Sequence, residues 1–166
     1  DVLTYVTEPL EDDLTVAGPV DVTLHVASSG TDADFIVKVI DVYPLNSPSQ
    51  HASGPRMDAY EQLVHGNVFR ARWRRTFERP QPLVANRPDS IRYSLEDVMH
   101  TFRKGHRMMV QVQSTWFPLV DRNPQTYVPN IYRATAKDFT PATMTVFRTP
   151  ARASGITVRV VPTGAQ

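Results

Sequence analysis

The sequence predicts an all-β protein: an antiparallel β-sandwich of jelly-roll type with at most one or two short helical turns. Two observations predict it. Apolar residues recur at every second position in segment after segment, the period of a strand with one buried face. Gly and Pro signals such as "AGP", "SSGTD", "SGP" and "KGH" punctuate those segments. At 166 residues the chain fits one domain, 1–166, long enough to bury about two-thirds of its unfolded surface.

The elements follow in order. Leu3 to Val6 and Leu14 to Ala17 read as opening strands. Val20, Val22, Leu24 and Val26 alternate with Asp21, Thr23 and His25. Phe35 to Tyr43 is apolar on both faces apart from Lys38 and Asp41, the mark of a central strand. Phe69, Ala71 and Trp73 alternate with Arg70, Arg72 and Arg74, which predicts a strand with an arginine face. Strands at Ile91–Leu95, Met108–Val112, Met144–Val146 and Ile156–Val160 bring the expectation to about nine. Helical spacing occurs at Met57, Tyr60, Leu63 and Val64, and again at Leu95, Val98, Met99 and Phe102, where Ser94 with Asp97 would make a weak cap. Both read as one or two turns.

Composition excludes several classes of function. A net charge of +1 gives no global attraction to nucleic acid or acidic membranes. No apolar run approaches the ~18 residues of a membrane span. Cysteine is absent, so neither disulfides nor thiolate metal sites hold the fold. The chain opens on a strand without an initiating Met, which reads as a mature or excised fragment. No G-x-S-x-G nucleophile elbow occurs. Ser114, His106 and Asp121 can be collected as a triad, but any chain with five His offers such a trio, and Ser114 reads better as a strand end. His100 and His106 lack the i, i+4 spacing of helical metal ligands and read as structural. No metal or cofactor is implied. Interleaved Arg and aromatic residues in "FRARWRRTFERP" suit single-stranded nucleic acid, yet in a nearly neutral chain they more readily pair with Asp and Glu or face another domain.

One stretch stands apart. In "QVQSTWFPLVDRNPQTYVPNIY" a strand gives way to two large aromatics, three prolines and an Asp-Arg-Asn run. Trp116 and Phe117 offer large apolar areas, Pro118 and Pro124 stiffen the loop, and Asp121, Arg122 and Asn123 can pin it by hydrogen bonds. Such a loop can cap its own sandwich, form a docking surface, or do both.

The run "FRKGHRMMVQVQSTWFPLVDRNPQ" resembles the signature of the C-terminal non-catalytic domain of the X-prolyl dipeptidyl peptidase, cocaine esterase and α-amino acid ester hydrolase (acylase) family. Three further stretches resemble that domain in order: the opening strands with G-P-V and D-x-D-F-x-V-K, the arginine-rich "GNVFRARWRRTFERPQPL", and the closing "ASGITVRVVP". The resemblance implies a jelly roll packed on a catalytic α/β-hydrolase domain of the same parent chain. That other domain would hold the Ser-Asp-His triad, act on a small acyl or peptide substrate and cleave esters or amides through an acyl-enzyme. No catalytic role falls on any residue here. The implied domain-interface residues are Trp116, Phe117, Pro118, Asp121, Arg122 and Asn123, with Arg70, Arg72 and Arg74; Tyr43, in the loop from Asp41 to Pro48, is the substrate-rim candidate. The alternative is a free-standing carbohydrate-binding module, since jelly rolls also bind sugars. The placement of Trp73 on the apolar face of its strand weighs against it, while Tyr127 and Tyr132 could contribute to sugar stacking.

Overall fold

Two layers share the strands, and most connections carry the chain from one layer to the other. The computed structural model describes residues 1–47 and 53–162; Pro48 and the last four residues lie outside it. Its strands are β1 (Val2–Val6), β2 (Leu14–Ser28), β3 (Asp34–Val42), β4 (Glu61–Arg70), β5 (Asp89–Phe102), β6 (Arg107–Gln113), β7 (Met144–Val146), β8 (Arg148–Thr149), β9 (Arg152–Ala153) and β10 (Gly155–Thr157). One sheet has the order β1-β6-β3-β4 and the other β10-β2-β5, with β7 also on β2; β8 and β9 form a small hairpin. These pairings are antiparallel. The result is the predicted antiparallel β-sandwich.

The alternation read in the sequence builds the core. Val16, Val20, Val22, Leu24 and Val26 of β2 join Ile91, Leu95, Val98 and Phe102 of β5, and these meet Phe35, Val37 and Val39 of β3. Tyr93 of β5 crosses the gap to stack on Phe69 of β4, with ring centroids 5.1 Å apart. The central position of β3, between β6 and β4, is as expected from its apolar faces.

Four expectations are corrected. The strands at Leu14–Ala17 and Val20–Val26 are one strand, β2, which keeps its course past an irregularity between Pro19 and Asp21. The supposed helix at Leu95–Phe102 is the second half of β5. Leu63 and Val64, the end of the other supposed helix, lie in β4. The arginine-faced strand stops at Arg70, and Ala71–Trp73 form a 3-10 turn. Arg70, Arg72 and Arg74 therefore do not share one face of a strand. The turn is fixed by backbone bonds from Ala71 N–H to Ala33 (2.8 Å) and from Arg74 N–H to Ala71 (3.1 Å).

Candidate functional site

After β6 the chain runs through the aromatic and proline-rich loop, whose base is locked from within. Asn123 is buried and donates to Asp34 at 2.8 Å, while its side-chain oxygen accepts from Gln125 N–H at 2.9 Å. The Gln125 carbonyl in turn accepts from Thr31 N–H at 3.0 Å, and Tyr127 N–H reaches Thr31 Oγ1 at 2.9 Å. Gly30 is required here: a Cβ at this residue would stand 2.2 Å from the Gln125 carbonyl oxygen. Trp116 is half-buried over Gly66, and the Lys38 ammonium lies 4.6 Å from its ring centroid.

The outer side of the same loop is open. Phe117 is 64% exposed, Leu119 71% and Tyr132 83%; Pro118 and Arg122 are exposed too. The Arg122 guanidinium lies 5.4 Å from the Phe117 ring and 5.7 Å from that of Phe139, joining two distant segments into one surface. Isolated exposed apolar side chains are ordinary; here Phe117 and Phe139 are exposed on either side of one guanidinium, Arg122. Leu119 and Phe139 were not singled out in the sequence, because only closure of the loop brings Phe139 to Arg122; Tyr132 stood out there only as a ring for sugar stacking.

Of the three arginines, Arg70 and Arg72 reach the loop, while Arg74 bonds elsewhere. Arg72 is only 4% exposed; its Nε donates to Asp32, itself fully buried, at 2.9 Å, another guanidinium nitrogen reaches the Val128 carbonyl at 2.8 Å, and its plane lies against the Tyr127 ring. Arg70 forks onto Asp34 at 2.9 and 3.0 Å and also meets Asp121 at 3.2 Å. Burial opposes the charge on Arg70, but these two carboxylates outweigh it and hold the guanidinium above its ordinary range. Arg74 donates to Asp89 at 2.6 Å. An unpaired basic stripe is therefore absent at these positions.

Asp89 gives a pH prediction. Burial pushes its carboxyl up, but hydrogen bonds from Arg74 and from Ser90 N–H, with the charges of Arg74 and Arg75, hold it below the usual carboxylate range. A depressed folded value means that its stabilisation is present above the unfolded value of about 3.9 and is lost as pH falls through the folded one. Asp89→Asn is expected to flatten the acid limb of a stability profile below about pH 4, read from urea midpoints taken at successive pH. An unchanged acid limb would show that the pair is screened by solvent.

At the far end of β3, Asp41 is 2% exposed and lies between two imidazoles, His100 at 2.9 Å and His106 at 2.8 Å. His100 belongs to the opposite sheet, so the carboxylate ties the two layers. Tyr43 stands beside this group. Its ring lies 4.4 Å from that of His106 and 6.0 Å from that of Tyr60, and its hydroxyl donates to Gln62 at 2.7 Å. Tyr43 is thus half-buried and held in orientation. With His106 engaged by Asp41 and Asp121 by Arg70, the trio with Ser114 is not assembled. Neither tryptophan offers an open ring for sugar stacking: Trp73 packs on the core and Trp116 lies under Lys38.

Comparison with known proteins agrees with this architecture. Residues 1–157 match the model of the X-Pro dipeptidyl-peptidase C-terminal non-catalytic domain. The chain is 35% identical over 126 residues to the cocaine esterase of Rhodococcus sp. (strain MB1 Bresler), a match covering 76% of this chain and 20% of that protein. It superposes with a TM-score of 0.90 on an α-amino acid ester hydrolase, at 49% identity, over 97% of this chain and 26% of that one. An aminopeptidase from a marine sediment archaeon, Thaumarchaeota archaeon, gives a TM-score of 0.90 at 43% identity, over 98% of this chain and 26% of that one. The chain thus spans a fifth to a quarter of the length of these relatives. By the reach of the domain match and the identity to these structures, the chain belongs to the family of X-Pro dipeptidyl-peptidase C-terminal non-catalytic domains.

Proposed function

We propose that this domain is the β-sandwich partner of a catalytic α/β-hydrolase domain in a longer parent chain, one that cleaves esters or amides of small acyl or peptide substrates through an acyl-enzyme. Its contribution is structural: Trp116, Phe117, Pro118 and Arg122 meet the catalytic domain, while Arg70, Arg72, Asp121 and Asn123 hold that surface in shape; Arg74 braces the turn after β4 instead. The observation that carries the reading is the pairing of an exposed Phe117–Arg122–Phe139 surface with a buried hydrogen-bonded base. A surface held rigid before contact loses less entropy on docking. The relatives' names, an esterase, an ester hydrolase and an aminopeptidase, support the reaction class.

Tyr43 is proposed to line the rim of the substrate pocket. Its fixed hydroxyl and its place at the end of β3 suit a residue that selects by shape and polarity. Because the ring also packs on His106, Tyr43→Phe is a cleaner probe than alanine. In the full-length enzyme, Phe117→Ser with Leu119→Ser is expected to separate one cooperative melting transition into two and to expose the junction to protease. Tyr43→Phe is expected to change the ratio of kcat/KM between acyl substrates with melting nearly unchanged. A single intact transition in the first variant would remove the loop from the interface, and unchanged selectivity in the second would leave Tyr43 as packing.

A further inference from the structure

The sandwich is open along one side. β1 is an edge strand, and all five of its residues are exposed although the sequence is "VLTYV", without a charge. Leu3 is paired with Val112 and Tyr5 with Val110, so both point into the space between the sheets, where no strand among the described residues covers them fully. Two adjoining cavities of about 290 and 360 Å³ occupy that space. The first is walled mainly by Leu24, Val37, Val110, Val112, Val146 and Ile156, with Arg148 at its side; the second mixes Leu3, Phe35 and Met144 with Asp1, Gln113 and Thr143. The second cavity begins at Ser114, two residues before Trp116, so the cleft starts where the proposed docking loop starts. The outer edge of β1 also has backbone groups to give. Thr7 N–H is bonded to the Met108 carbonyl, and by the alternation of antiparallel pairs the N–H groups of Thr4 and Val6 point away from β6 toward the open side.

We infer that this cleft is a second docking surface, filled by an extended apolar segment of the catalytic part of the same parent chain, which pairs with the free edge of β1 and places its side chains between the two sheets. The inference rests on the proposed two-domain arrangement. Three observations select this occupant. The matched relatives carry about three-quarters or more of their length outside this domain, and the domain is C-terminal in its family, so the proposed parent chain would enter at β1. A tethered segment meets the cleft at an effective concentration near the millimolar range, which a free partner does not reach. The uncharged edge lacks the lysines or prolines with which proteins keep a solvent-facing strand from pairing.

The test is hydrogen exchange on the full-length enzyme. The amides of Thr4 and Val6 are expected to exchange at least about 100-fold more slowly than solvent-exposed loop amides, at all protein concentrations. Leu3→Asp is expected to lower the melting temperature of the full-length enzyme, whereas Met99→Asp, at an outward position of β5 that is 78% exposed, leaves it unchanged. Free exchange at Thr4 and Val6 with protection at Phe117 and Leu119 would overturn the inference and leave loop docking standing. Free exchange at both places would remove both. Protection that fades on dilution would assign the cleft to a second copy, and an apolar small molecule found bound by native mass spectrometry would assign it to a ligand; either result overturns the proposal.

Discussion

Arg72→Ala is expected to lower stability by about 3–5 kcal/mol, the cost of leaving one member of a buried ion pair without its partner. Asp32 is fully buried, and its carboxylate accepts from Arg72 Nε at 2.9 Å and from the following Ala33 N–H at 3.0 Å. Removing the guanidinium strands that charge and also frees the Val128 carbonyl that Arg72 holds. Asp32→Ala is expected to cost a similar amount for the converse reason, and the double variant less than the sum, because the second substitution removes the charge that the first left unpaired. Urea unfolding of the three variants measures this. A loss below about 1 kcal/mol for Arg72→Ala would mean that water reaches Asp32 and that the pair behaves as a surface one.

Gly30→Ala is expected to cost about 2–3 kcal/mol, at the upper end for an overpacked site, since the added methyl meets backbone rather than a flexible side chain. The Gln125 carbonyl oxygen, 2.2 Å from the new carbon, would have to withdraw. Its bonds from Thr31 N–H (3.0 Å) and Asp32 N–H (3.3 Å) would stretch with it, and the loop base would loosen beside the Arg72–Asp32 pair. Equilibrium unfolding gives the stability, and Trp116 fluorescence reports whether the loop moves in the folded state. Unchanged stability with unchanged fluorescence would show that the loop base yields at no cost.

The sandwich was legible because alternation is a direct imprint of burial on one strand face. The two false helices have a common physical cause. In β5, Pro19 of β2 faces Asp97 but Asp21 faces Ser94, so the β5 strand carries an extra residue there, where Glu96 has φ 70°. That insertion moves the inward series from Ile91 and Leu95 to Val98 and Phe102, and the resulting gap of three imitates a helical turn. In β4, Val39 faces His65 and Ile40 faces Leu63, leaving Val64 over and setting two apolar residues side by side. A bulge and a helix turn look alike over four residues. Pairing partners tell them apart, and those are distant in sequence.

The site was half legible. The motifs D-x-D at Asp32 and Asp34 and R-x-R at Arg70 and Arg72 were both visible, but not that each Asp takes one Arg, because β3 and β4 must first pair to oppose them. The loop's composition announced a surface at Trp116 and Phe117, while Phe139 carried no local signal. Asn123 looked like a turn residue and is a buried brace.

β3 is buried on both faces: Phe35, Val37 and Val39 on one side, Ile36 and Ile40 on the other. Its apolar residues would therefore accept a shift of one position against its neighbours nearly as well as the native alignment, although such a slip exchanges the faces. Its acids would not. Asp34 near one end requires Arg70 and Asn123, and Asp41 near the other requires His100 and His106 on the opposite side of the sheet. A slipped frame would turn both carboxylates away from their donors at once and leave charges buried at either end. In this strand the hydrophobic residues supply the cohesion, and the two carboxylates decide which alignment the chain keeps.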